Sequence, residues 1–197
     1  MSLREANKQA NREAILDAAR EVFADLGYGA ATVRDIVRGT DLATGTFYNY
    51  FPDKEAVFRA LLDESAGEVR ARARAARQAA RSFEELVEHA YAAVFEFLAE
   101  DPQFFELMQR NAGTIATQFH EPMLGMSTVE LQEDLDAAIR AGIIPPHDTA
   151  YMAAAMVGTA FEVGEKMIER TPPDVAGATR FATDLFLGGM MRMRRET

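Results

Sequence analysis

Along most of this chain apolar residues recur at the three-and-four spacing of one helix face. Ile15, Ala18, Ala19, Val22, Phe23 and Leu26 form the first stripe, and Gly27 behind them reads as its C-terminal cap. Val33, Ile36 and Val37 form a shorter one, opened by Thr32 with Asp35 three residues on, a short version of the capping box that predicts a helix over 33–38. Gly39, Thr40 and Asp41 are poor helix residues, and Gly or Asp can adopt the left-handed backbone of a sharp turn. Leu42 then packs inward, and 43–48 predicts a second helix too short to survive without its neighbours. A long helix follows from about Asp53 through Phe58, Leu61 and Leu62 into an Ala and Arg run over 69–81. Its alanines favour helix, and Arg70, Arg72, Arg74 and Arg77 are expected to form a solvated face.

The remainder reads as helical throughout. Ser82 and Glu85 make a capping box ahead of the stripe Phe83, Leu86, Val87, Ala90, Tyr91, Val94, Phe95 and Leu98, which Asp101 and Pro102 end. Phe104, Phe105, Leu107 and Met108 begin another helix. A broken, Gly-containing stretch over 111–125 precedes a helix over 129–141, closed by Gly142 and Pro145. Asp148 caps a helix carrying Ala153, Val157, Ala160, Gly164 and Met167, and a last helix, begun near Pro172 and Pro173, carries Ala178, Phe181, Ala182, Leu185, Phe186 and Gly189. The fold class is therefore all-α.

Charge divides the chain. Residues 1–81 hold 13 Lys and Arg against 12 acids, a balance of +1, whereas 82–197 hold 8 against 19, a balance of −11. A net charge of −10 looks wrong for a nucleic-acid binder until it is divided in this way, because the acid sits mostly where DNA need not go. Read singly, each acid is equally well explained as solubility charge. The chain has no cysteine, hence neither disulfides nor thiolate chemistry, and no apolar run long enough to cross a bilayer or a secretory hydrophobic core; a cytoplasmic location is expected.

The stretch from Thr32 to Glu55 carries the most specific chemistry. Its second short helix and the residues just after it expose Thr44, Gly45, Thr46, Tyr48, Asn49 and Tyr50: hydroxyls, phenols, an amide and a glycine that permits close approach, groups suited to phosphates and base edges in a major groove. An ordinary helical corner with exposed tyrosines is the bland alternative. The T-V-x-D-I start, the G-T-F-Y-x-Y-F core and the K-E that follows resemble the TetR family of transcriptional regulators, over roughly Arg12 to Leu62. Val37, Asp41 and Ala43 depart from that family's usual small residue, turn glycine and serine cap; the last leaves the second short helix without a side-chain cap.

The resemblance implies an N-terminal three-helix helix-turn-helix DNA-binding domain over 1–52. A connecting helix would join it to a larger ligand-binding and dimerisation domain over 53–197. It also implies a palindromic DNA operator, a homodimer and a small-molecule effector, with no cofactor, metal or membrane. Thr32, Tyr50 and Lys54 would then meet phosphates, and Thr44, Gly45, Thr46, Tyr48 and Asn49 would lie at or beside base edges. Arg12 is a weaker phosphate candidate. Phe95, Phe104, Met108, Phe119, Met123, Met156 and Phe161 would line an effector cavity, with His89, Asn111 or Gln118 fixing the ligand's polar end; taken one at a time each fits ordinary core as well or better. The stripes named above on the last two helices would build a four-helix bundle across a twofold axis, unless both pack within one protomer.

An enzyme is the remaining alternative. A di-metal bundle wants Glu-x-x-His pairs, yet the residues three before His89, His120 and His147 are Leu86, Thr117 and Ile144, and no P-loop, dinucleotide fingerprint or serine elbow occurs. A ligand-controlled repressor and a DNA-binding protein controlled by a protein partner are the other two readings.

Overall fold

The computed structural model describes residues 2–115, 117 and 128–193. Among them the chain forms α1 (Leu3–Ala30), α2 (Val33–Arg38), α3 (Thr44–Phe47), α4 (Lys54–Ala79), α5 (Phe83–Glu100), α6 (Pro102–Arg110), α7 (Ala112–Thr114), α8 (Thr128–Arg140), α9 (Thr149–Ile168) and α10 (Val175–Met193). These residues divide into two compact units, one of 2–65 with 103–115 and 117, the other of 66–102 with 128–193. The unit boundary falls inside α4.

In the first unit Ile15, Ala19 and Phe23 of α1, Ile36 of α2, Phe47 of α3 and Val57, Phe58 and Leu61 of α4 are buried. Phe23 and Phe58 meet edge to face with centroids 4.9 Å apart. Leu16 also belongs to this core, whereas Leu26 is exposed and Val22 half-buried. Gly27 has φ 77° and ψ 156°, a conformation that a side chain would strain, and it breaks α1 before the last residues coil on to Ala30. Gly39 differs from the sequence expectation. Its backbone is not left-handed (φ −80°, ψ 1°); a Cβ there would stand 3.0 Å from that of Ala18, so the glycine serves the close approach of α2 to α1.

In the second unit α10 packs on α5 and α9, and α9 on α5 and α8. Val87, Val94, Phe95 and Leu98 of α5 are buried, as are Leu131 and Leu135 of α8, Met156 and Ala160 of α9, and Ala182 and Phe186 of α10. Tyr91 stacks on Phe95 and on Phe186, and its hydroxyl donates to the Met156 carbonyl (3.1 Å); burial pushes its phenol pKa up.

Caps fall close to their expected places. Asp148 accepts from the Ala150 and Tyr151 amides at the start of α9. Ser82 accepts from Glu85 N, but the Glu85 carboxylate takes Arg81 N, so the box ahead of α5 is half formed. The last helix begins later than its prolines suggest, at Val175, where the carboxylate of Asp174 receives Gly177 N (2.9 Å). The arginine face of α4 is less solvated than its spacing predicts. Arg77 has only 12% of its side chain exposed and reaches Asp134 (2.7 Å) and Glu130 (3.4 Å) of α8, while Arg72 pairs with Glu68 and Glu100 and lies over Phe97.

Candidate nucleic-acid interface and ligand cavity

Thr32 opens α2 with a complete capping box: its Oγ1 accepts from Asp35 N (3.3 Å) and the Asp35 carboxylate accepts from Thr32 N (3.1 Å). The hydrogen bonds from the Thr32 hydroxyl and amide, reinforced by Arg38 and Arg34, hold the Asp35 pKa below its ordinary value. In the turn, Thr40 Oγ1 donates to Val37 O and accepts from Leu42 N, which fixes the entry into α3. Ala43 gives α3 no side-chain cap. Four residues cannot hold a helix alone; Phe47, fully buried against Phe51 and edge-on to Tyr48, anchors this one.

That anchoring turns the polar side outward. Thr44, Gly45, Tyr48 (55% exposed) and Asn49 face solvent, while Thr46 and Tyr50 are half-buried. The Tyr50 hydroxyl accepts from Asn11 Nδ2 (3.1 Å). One short exposed ridge thus gathers most of the residues expected at base edges. Their hydroxyl, phenol and amide groups can donate and accept in a groove.

Two cations expected on phosphates are held by the protein itself. Lys54 Nζ donates to Tyr28 O (2.7 Å) and Ala31 O (2.8 Å) and sits 4.5 Å from the centre of the Tyr28 ring. Its ammonium caps the carbonyl end of α1, where the helix dipole favours positive charge. Arg12 pairs with Glu64 (2.7 Å) and lies over the ring of Phe51. Nothing in the sequence spacing separates a lysine that caps a preceding helix from one that meets a phosphate; the carbonyls it finds lie more than twenty residues away. Arg34 and Arg38, exposed on α2 beside the ridge, are cations the residue pattern did not single out.

The second unit holds a cavity of about 20 Å³, lined by Arg70, Ala73 and Arg77 of α4, Ala90 and Tyr91 of α5, Glu130 and Leu131 of α8, and Met156 of α9. Of the residues proposed for an effector, only Met156 borders it. Phe95 is buried on α5, and His89 and Phe161 are half-buried. Phe104 and Met108 are buried on α6, which belongs to the first unit. Gln118, Phe119 and Met123 lie outside the described residues. Asn111 is engaged elsewhere. Its Nδ2 donates to Phe23 O and Leu107 O, and its Oδ1 accepts Tyr28 N, so the amide is spent on backbone rather than held ready for a ligand. Tyr91 and Arg77 are among the cavity groups that sequence reasoning missed, which are all of the lining but Met156. The signal for Arg77 was its place with Arg70 and Ala73 on one helical face, at i, i+3 and i+7.

The stripe expected to meet a second protomer mostly faces inward. Ala153, Ala160 and Met167 of α9 and Ala178, Ala182 and Phe186 of α10 are buried within the protomer. A Cβ at Gly164 would stand 2.7 Å from Leu98 Cδ1, so the small residue admits α5 rather than a partner. Phe181 (58% exposed), Leu185 (52%) and Gly189 do face out, Val157 lies at the edge, and Tyr151, Ala154, Ala155 and Gly158 form an exposed face on α9 that the stripe did not include.

Residues 15–61 match the family model described as "Bacterial regulatory proteins, tetR family". The chain is 30% identical over 141 residues to the HTH-type transcriptional repressor AcnR of Corynebacterium glutamicum, covering 71% of this chain and 68% of that one. Its counterpart in Corynebacterium efficiens is 29% identical over 153 residues, covering 77% and 74%. Among solved structures, the fatty acid degradation regulator FadR from Bacillus halodurans superposes with a TM-score of 0.78 at 27% identity over 91% of this chain and 95% of that chain. A putative transcriptional regulator from Pseudomonas aeruginosa PAO1 shares the fold at 16% identity, with a TM-score of 0.80 over 95% and 94%.

Proposed function

Because the chain belongs to the TetR family of transcriptional regulators, we propose that it is a repressor that binds a palindromic operator as a homodimer and is released by a small apolar or amphipathic effector. The observation that carries this reading is the exposed ridge of Thr44, Gly45, Tyr48 and Asn49, held out from the protein by the buried ring of Phe47. Residues 1–52 act as the DNA reader and 53–197 as the sensing and assembly part. Thr44, Thr46, Tyr48 and Asn49 take base edges, with Gly45 allowing the groove wall to come close, while Thr32, Tyr50 and the exposed Arg34 and Arg38 supply phosphate contacts.

Dimerisation doubles the reader. A twofold pair of helix-turn-helix units fits half-sites about 34 Å apart, one turn of DNA, and so reads a palindrome. The outward face of α10, with Phe181, Leu185 and Gly189, together with Tyr151, Ala154, Ala155 and Gly158 of α9, is the surface we assign to it. The repressor AcnR and the fatty acid degradation regulator FadR are relatives whose names fit, respectively, repression and an amphipathic effector. Selection of bound duplexes from a random pool, followed by sedimentation of the complex, tests the reading. A palindromic consensus bound by two chains is expected; no enriched sequence, or binding by one chain, would overturn it. Thermal shift against a library of apolar and amphipathic compounds then separates small-molecule control, which raises the melting temperature, from control by a protein partner.

A further inference from the structure

α1 starts at Leu3, well ahead of Ile15, the first of its residues in the core. The leading stretch is a formed helix with a complete capping box, in which Ser2 Oγ accepts from Glu5 N (3.3 Å) and the Glu5 carboxylate accepts from Ser2 N (2.7 Å). At about 3.6 residues per turn, Arg4, Lys8 and Asn11 fall in one stripe, about 80° wide, with Ile15, Ala18 and Val22. The face that packs into the first unit thus turns basic and polar where it runs past the core. Acid stays off it. Around the axis Glu5 lies about 100° and Glu13 about 180° from Arg4, the first engaged by Ser2 and the second accepting from Gln9 (2.8 Å). At the inner end of the stripe Asn11 Nδ2 donates to the Tyr50 hydroxyl (3.1 Å), just after the α3 ridge, and the neighbouring Arg12 lies over Phe51. Arg4 and Lys8 are exposed, and among the described residues neither has an ion pair, whereas Arg12 is held by Glu64.

We propose that Arg4 and Lys8 make a second DNA contact, an arm that takes phosphates beyond those met by α2 and α3. This rests on the DNA-binding reading above and adds to it a surface outside residues 15–61. Counted from Asn11, Lys8 lies about 4.5 Å and Arg4 about 10.5 Å along the helix axis, so the two charges step away from Tyr50 and meet different phosphates. Tyr50 accepts from Asn11 and so keeps its own O–H to donate, which makes one continuous polar edge of Tyr50, Asn11, Lys8 and Arg4. Solubility is served by charge on any face; here both cations lie on the face that Asn11 fastens beside the ridge. Contacts to phosphate carry no sequence information, so the arm adds affinity and salt dependence without changing which bases are read.

The test variant is Arg4→Gln with Lys8→Gln, which removes both charges while keeping the capping box and the helix propensity. Its control, Arg81→Gln with Arg140→Gln, removes the same charge from exposed positions of the second unit. Each is titrated at several salt concentrations with a duplex selected from a random pool by the wild-type protein, and the phosphates in contact are mapped by ethylation interference. The arm variant should flatten the slope of log affinity against log salt by about 3.6, or about 0.9 for each of two cations in each of two chains, and the control by less than about one. The arm variant should also lose interference at a discrete set of phosphates, keep it at the others, and select the same consensus as the wild type. An unchanged slope, a control that flattens it equally, a changed consensus, or a flattened slope with an unchanged interference map would each overturn the arm while leaving the DNA-binding reading in place. If the wild type selects no duplex, the DNA-binding reading fails first and the arm falls with it.

Discussion

Replacing Lys54 by methionine separates two jobs that a lysine at this position can do. Methionine keeps most of the apolar stem and removes the charge. The ammonium now caps Tyr28 O and Ala31 O at 2.7 and 2.8 Å and lies over the Tyr28 ring. Charge-assisted hydrogen bonds of this kind are each worth about 1.5–3 kcal/mol where water is excluded, and less where, as here, the group is half-buried. A net loss of about 2 kcal/mol is reasonable for the pair, and in a chain of this size it lowers the melting temperature by about 4–8 °C. A phosphate contact predicts something else. Neutralising one phosphate contributes about 0.9 to the slope of log affinity against log salt, so losing it would flatten that slope by about one unit. Thermal unfolding followed by fluorescence, and duplex binding titrated at several salt concentrations, measure both. The expected outcome is a less stable protein with an unchanged salt slope; an unchanged melting temperature with the slope reduced by about one would place the ammonium on DNA and refute the capping argument.

Tyr48→Ala should leave stability nearly unchanged and weaken binding by about 1–3 kcal/mol at particular base positions, which a binding series over single-base operator variants would resolve. Phe181→Asp with Leu185→Asp should give monomers in sedimentation and, through lost half-site avidity, much weaker duplex binding; an intact dimer would move the interface off α10. Gly164→Asp should instead destabilise the protomer, because its side chain meets Leu98. Asp35 has a folded pKa below its unfolded value, so its contribution is present above the unfolded pKa and lost as pH falls through the folded one. Asp35→Asn should therefore lower stability at neutral pH and lose that effect in acid, as melting curves across pH would show.

The helices were legible because their signals are local. Thr32 with Asp35 and Asp148 ahead of α9 announce helix starts by groups two or three residues from the amides they cap, and Gly27 announces a break by its own backbone. The exposed ridge of α3 was legible for the same reason, since Phe47 is the one large apolar side chain in that four-residue helix. The features that the sequence hid depend on distant partners. Lys54 finds carbonyls at the end of α1, Asn111 spans to Phe23, and Arg77 leaves its solvated neighbours for Asp134, more than fifty residues on. The small residues of α9 were misassigned because closeness of approach is symmetrical: Gly164 admits a neighbouring helix equally well from within the protomer as from a partner, and only the position of Leu98 decides.

The size of the cavity beside Tyr91, one of several hollows in the second unit, bears on whether an effector could act there. At about 20 Å³ it has room for roughly one water, whereas sites for small organic ligands span about 300–1,000 Å³. A ligand entering between Tyr91, Leu131 and Met156 must first enlarge that space. The side chains in its way are not loose: Tyr91 is stacked on two phenylalanines and bonded to Met156 O, and Arg77 is tied to Asp134 and Glu130. Opening therefore costs packing and hydrogen bonds, and an occupied state would differ from the closed one at least in these side chains of α4 and α5. That difference is what induction requires, since a ligand shifts an equilibrium only by its preference for one state over the other. To carry the protein from 1:99 to 99:1 the preference must reach about 5.5 kcal/mol, and a ligand that touches these walls only once they have opened could exert it only if the opened arrangement were also the one that releases DNA.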